Sequence, residues 1–252
     1  MEYQTILYET SADGVATIVP PFDEASAVRA ARALARARVV AQAQGRPLAS
    51  APSAVRDVAQ ATWAVQALAG GITTDERWGR VEKLEQSVRV SLDAQVVSLD
   101  RGAALDLKAS LPVSMLRAGT PFTLQITTAE AASVAVFGWI ADDTVVRLYP
   151  YGRQRDLRTA AREPLVLPRQ NEPPFMSEPR PGVEADFEAL VVIASKAPLA
   201  YDRLAREVGA TVEETMANAR PVQDFLRELA TLAARPDAAV ALKVVPYTVY
   251  NP

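Results

Sequence analysis

The stretch from Ser133 to Tyr151, SVAVFGWIADDTVVRLYPY, narrows the folds open to this chain more than any other. Val134, Val136 and Ile140 alternate with Ala135, Phe137 and Trp139, so both faces of one strand are apolar, the pattern of a strand covered on both sides. Asp142 and Asp143 follow as turn residues, and Thr144 to Tyr149 returns as the second strand. Pro150 closes the hairpin, because proline has no N–H for a ladder. A hairpin buried on both faces needs a layer on each side of it.

Neighbouring runs supply partners. Phe122, Leu124 and Ile126 alternate with Thr123, Gln125 and Thr127, the signature of a half-buried strand. Shorter runs at Leu105 to Ala109 and Leu165 to Leu167 extend this to an antiparallel meander or sandwich, joined by strands at Phe187 to Ser195 and Val240 to Val249. Helical pieces are expected between those last two strands, at Leu199 to Val208, at Thr211 to Ala219 with a Thr-x-x-Glu capping box, and at Val222 to Ala234 after Pro221. The loop from Arg169 to Gly182 carries Pro173, Pro174, Pro179 and Pro181 and is no central strand.

Towards the N-terminus, Gln4 to Tyr8 and Val15 to Val19 read as short strands around a Ser-Ala-Asp-Gly turn at 11 to 14. Asp23 is an N-cap for a helix from Glu24 to Gln44 that stops at Gly45. Val28, Ala31, Ala35 and Val39 form its apolar stripe, and Arg29, Arg32 and Arg36 line a face read as solvated rather than as a nucleic-acid stripe. A second helix is expected over Ala54 to Ala69, and Ser87 to Val97 alternates cleanly as a strand. The fold class is therefore α+β: an N-terminal α/β sandwich over 1–99, a joint at Leu99 to Ala103, and a β-sandwich or meander domain over 103–252 with a helical insertion at about 199–234.

Composition excludes much chemistry. The 252 residues contain no cysteine and no histidine, which removes disulfides, thiol nucleophiles, the usual zinc and haem ligands and every imidazole-based triad. A net charge of -3 gives no general attraction to nucleic acid or anionic lipid. No apolar run has the length to span a bilayer. Met1 leads straight into Glu2, Tyr3 and a strand-like segment, leaving two readings: a cytoplasmic protein, or a mature exported chain whose leader was removed. Phosphate-binding glycine loops, a nucleophile elbow and an S-x-x-K motif are all absent, and no cofactor is expected.

Spaced features over about residues 103–200, extendable to the C-terminus, resemble the bacterial domain of unknown function 4384. These are LDLKASLPVSMLRAGTPFTLQI, the 133–151 hairpin, PLVLP and PRPGVEADFEALVVIAS, with Gly119, Leu148, Tyr149, Pro150, Leu167, Pro168, Pro181, Gly182 and Glu184 where that pattern wants them. Asp143 and Thr144 stand where a turn glycine is usual. The N-terminal half is faintly similar to flagellar and outer-membrane lipoprotein-type envelope modules. The first resemblance implies a non-enzymatic accessory module of the periplasm or cell envelope that binds a protein partner or a wall polymer.

No residue is assigned to catalysis or to a metal. Tyr149, Tyr151 and Arg153 form the only aromatic and basic cluster at a strand end, weak binding candidates for a peptide or glycan rim. Asp142 and Asp143 are read as a turn rather than a calcium site, and Ser195 beside Lys196 as a strand end. Asp75, Glu76, Glu82 and Glu85 are the acid-rich group on which the alternative rests, a carboxylate-dependent hydrolase of a glycan.

Overall fold

The computed structural model describes residues 7–18, 23–45, 70–99, 104–140, 142–151, 157–198, 200–209, 211–235 and 238–251. The expected helix over 54–69, residues 100–103 of the expected joint, and Arg153 lie outside these residues. The fold is mixed α/β, mostly sheet, and its sheets are largely antiparallel.

The first sheet has the order β1 (Leu7–Thr17), β4 (Ser87–Ser98), β2 (Gly71–Trp78), with β3 (Glu82–Leu84) also on β4. Strand β4 buries Val88, Val90, Leu92, Ala94 and Val96; on the opposite face Arg89, Ser91 and Asp93 are exposed, whereas Val97 and its partner Ile72 are buried, so that second face is open over part of its length. The residues at 11 to 14 are not a turn: β1 pairs with β4 without interruption from Leu7↔Val97 to Thr17↔Ser87. Gly14 is there for close approach, because a Cβ on it would lie 1.7 Å from the Ala31 carbonyl oxygen of the overlying helix.

That helix, α1 (Glu24–Ala43), starts where Asp23 accepts from the Ser26 N–H at 2.8 Å. Its small side chains allow sheets to close on both flanks. Ala27, Ala30, Ala31, Leu34 and Ala37 pack with Ala16, Val88 and Val90 of the first sheet. Ala33, Ala35, Val39 and Val40 join a larger cluster with Phe137, Trp139, Phe187 and Ile193 of the second sheet. The arginine face is buried at two of its three residues, the Arg36 side chain being 1% exposed and Arg29 10%, whereas Arg32 is 34% exposed. The face has carboxylate partners on both sheets.

The second sheet runs β13 (Arg220–Pro221), β9 (Thr144–Tyr149), β8 (Ala132–Ile140), β12 (Ala185–Ser195), β14 (Val240–Tyr250), β6 (Met115–Arg117), with β10 (Arg158–Thr159) on β8. The expected hairpin is β8–β9. Asp143 takes a left-handed φ of 64° in its turn, a conformation an aspartate adopts where glycine is otherwise usual. Strand β12 is buried at every residue. On its far face, Val134, Val136, Leu190 and Val192 meet Leu124, Ile126 and Leu167 of a third sheet, β11 (Leu165–Leu167), β7 (Leu124–Thr127), β5 (Lys108–Ser110). Both faces of the hairpin are thus covered, as its sequence requires.

Three helices lie between β12 and β14: α2 (Tyr201–Leu204), α3 (Val212–Asn218) and α4 (Val222–Ala233). Helix α2 is shorter than the expected 199–208. After Leu204 the chain runs beside β9, with the Arg147 N–H donating to Arg206 O and the Val208 N–H to Arg147 O, both at 2.8 Å. Helix α4 packs Phe225 edge-on against Phe137, 5.0 Å between ring centres, and closes the layer between the first two sheets. Among the described residues no helix is long and apolar enough to cross a membrane.

Candidate functional site

Most strongly perturbed ionisable groups are locked inside the fold. Strand β2 carries a bulge: Thr74 faces Gln95 and Arg77 faces Asp93, so Asp75 and Glu76 together oppose Ala94. Asp75 takes φ 49°, and Glu76 turns inward to meet Arg36 from α1 at 2.8 and 3.0 Å. Thr73 and the Trp78 indole N–H also donate to Glu76, at 2.6 and 3.1 Å. Asp143 of the hairpin turn lies 3.4 Å from Arg36 and accepts from the Trp139 indole at 2.9 Å. The Arg36 guanidinium carbon sits 5.0 and 5.6 Å from the Trp78 and Trp139 rings. Burial alone would lower Arg36, yet the Glu76 and Asp143 carboxylates outweigh it and raise it; burial likewise pushes Glu76 up, and Arg36 with Thr73 pulls it below its ordinary value. The cluster is a clamp.

A second clamp joins the start of α1 to β12. Asp186 accepts from Arg29 at 2.8 Å and pairs with Arg180 at 2.9 Å, and Arg180 reaches Asp23 at 3.1 Å. Farther along β12, Glu188 accepts from Ser177 and from Tyr247 at 2.7 Å. Burial raises Glu188 more than those hydrogen bonds lower it. Glu188 and Arg29 line a cavity of about 10 Å³ beside Trp139, about the space of one water molecule.

The open face of the first sheet differs. Glu9 and Ser11 of β1, Asp93 and Gln95 of β4, and Asp75 and Arg77 of β2 line a groove of about 350 Å³ across the outer face. No ion pair engages Glu9, Asp75, Arg77 or Asp93 among the described residues. The groove opens beside β1, which among the described residues has a strand partner on one side. In register, Glu9 faces Gln95 and Ser11 faces Asp93, making Glu9 and Asp93 diagonal neighbours, a separation of about 7–8 Å between Cα atoms.

Sequence-level candidates fall elsewhere. Tyr149 is 2% exposed, its ring edge-on to Phe175 at 5.6 Å and its hydroxyl on Glu172, so it lies in the core rather than on a rim. Burial, then Glu172, raises that phenol. Tyr151 is 37% exposed, and Arg153 is outside the described residues. The acid-rich group divides: Glu76 is in the clamp, Asp75 at the groove, and Glu82 lies 3.7 Å from Arg89. Ser195 donates to Ala197 O at 2.5 Å, and Lys196 pairs with Glu130 at 2.8 Å, as befits a strand end. Sequence reading passed over the groove because its residues come from three strands; the outward positions of β4 were its one visible signal. No family model, no curated protein and no solved structure matches this chain.

Proposed function

We propose that the chain is a non-catalytic binding or assembly module of the bacterial cell envelope, recognising a protein partner or a wall polymer through the open face of its first sheet. What supports binding over catalysis is where the charged groups lie. The perturbed ones are closed into clamps between layers, whereas the unengaged ones line a shallow polar groove on a rigid sheet. The envelope setting and membership of the unknown-function family rest on the spaced residues of 103–200 alone.

The pair Glu9 and Asp93, two carboxylates that are diagonal neighbours on one sheet face, favours one second reading, a carboxylate hydrolase, since a glycosidase works with a pair of Asp or Glu side chains. Such an enzyme also needs an apolar wall to hold one of them protonated. The groove is lined mainly by polar and charged side chains.

In-cell photocrosslinking from Gln95, with Glu163 as a position outside the groove, tests the proposal. Discrete adducts from Gln95 alone, lost in the Asp93→Lys variant, are expected, together with fractionation of the protein with the envelope. If purified protein instead releases soluble sugar fragments from wall sacculi, and Glu9→Gln and Asp93→Asn each abolish the release, the hydrolase reading replaces it.

A further inference from the structure

Among the described residues strand β1 is an edge strand along its whole length, and its backbone polarity is fixed by two contacts. The Ile18 N–H donates to Gln86 O at 2.8 Å, continuing the ladder with β4, so the even-numbered residues of β1 point their backbone groups at β4. The odd-numbered ones therefore point away. Asp13 agrees, since its carbonyl accepts from Arg38 Nη1 of α1 at 2.5 Å rather than from a strand. Glu9, Ser11 and Val15 have no backbone partner on that side among the described residues. Bare edges are usually short, bulged or covered; β1 is 11 residues long, in unbroken register, with Arg38 guarding one carbonyl.

The outward side chains of this edge set the partner. Glu9 and Asp13 flank Ser11 on the open face, and Asp93 stands in the next row. A segment added to β1 places alternate side chains directly opposite these carboxylates, where opposite charges stabilise and like charges oppose pairing. A second copy paired about Ser11 would set Glu9 against Asp13, so the charge pattern does not suit self-pairing in that register. We propose that β1 is the docking edge for an extended segment of a protein partner, which adds as a further strand and carries lysine or arginine at the spacing of Glu9 and Asp13. This rests on the binding-module reading and names its partner chemistry.

The probe is a synthetic β-prone peptide the length of β1 with two lysines at that spacing, compared with the same peptide carrying glutamates, both offered to the full chain. The lysine peptide is expected to slow hydrogen exchange at the Ser11 and Asp13 amides and to bind about tenfold more tightly than the glutamate peptide, two cross-strand ion pairs' worth. Ser11→Pro removes an N–H that makes no bond to β4, so it leaves the sheet intact and weakens the peptide about tenfold. In Glu9→Lys/Asp13→Lys, whose changes are on exposed side chains, the preference between the two peptides reverses. Exchange at Ser11 unaltered by the lysine peptide overturns strand addition, and so does binding indifferent to both variants. A dimer in light scattering that Ser11→Pro dissociates also overturns it, in favour of a second copy. If Gln95 still crosslinks when the peptide test fails, only the edge mechanism falls; if neither responds, the binding module falls with it.

Discussion

Arg36 and Glu76 show how one residue's environment decides its worth. Both side chains are 1% exposed, so each is tolerable only because the other is present. Glu76→Gln keeps the contacts from Thr73 and Trp78 but leaves Arg36 with Asp143 alone, and urea unfolding should find it destabilised by about 3 kcal/mol. An Arg36→Met/Glu76→Met double variant, in which Asp143 keeps the Trp139 indole and Arg32 at 3.8 Å, should lose less than the single one. Glu188 behaves oppositely with pH. Its folded carboxyl titrates above the ordinary 4.5, so between those values the unfolded chain has released a proton the folded chain still holds. The contribution of Glu188 to stability is full below 4.5 and declines as pH rises towards the raised folded value. Glu76, lowered below 4.5, contributes fully above that pH and is lost as pH falls through its folded value. Glu188→Gln should therefore gain on the parent in paired urea titrations as pH rises from 4.5 through the raised folded value. Parallel curves would mean that the Glu188 carboxyl is unshifted in the folded protein, despite its burial and the Asp186 carboxylate nearby.

At the scale of elements, Gly14 decides how α1 meets β1. Gly14→Ala drives a methyl into the Ala31 carbonyl, backbone against backbone, and should cost about 3 kcal/mol by thermal or urea unfolding. A change within experimental error would show that helix and strand can separate there. The same glycine marks the limit of what sequence reveals. The strands β4, β7, β8, β9, β12 and β14 were legible because one or both faces are apolar at period two, and α1 because its cap and stop are local. Strand β1 was broken at Ser11 to Gly14 because a glycine needed for close packing has the same letter as one needed for a turn. Strand β2 was missed because its bulge resets the alternation between Thr74 and Arg77, putting a charged Glu76 inward. The arginines of α1 read as solvent-facing because their carboxylates, Glu76, Asp143 and Asp186, are distant in sequence and converge only when two sheets close on the helix.

For the whole molecule, the boundary expected near residues 99–103 runs through shared packing. One hydrophobic cluster holds Ile72, Leu92 and Val96 from before it and Phe137, Ile193 and Phe225 from after it. Both clamps cross the same line, Arg36 to Asp143 and Arg29 to Asp186. A segment of residues 103–252 alone would bare Phe137, Ala189 and Ile193, each at most 1% exposed in the full chain, and would leave Asp143 and Asp186 without their α1 arginines. Large apolar area bared together with buried charge is what makes unfolding all-or-none. Calorimetry of the full chain should therefore give one transition whose van't Hoff and calorimetric enthalpies agree, and residues 103–252 expressed alone should bind a hydrophobic dye that the full chain does not. Two resolved transitions, with the later segment folded and dye-free by itself, would make the shared cluster a docked interface between independent units. With one transition, the groove and the β1 edge stay rigidly tied through α1 to the buried hairpin, and a strand gained at the surface is felt as added stability by the entire chain.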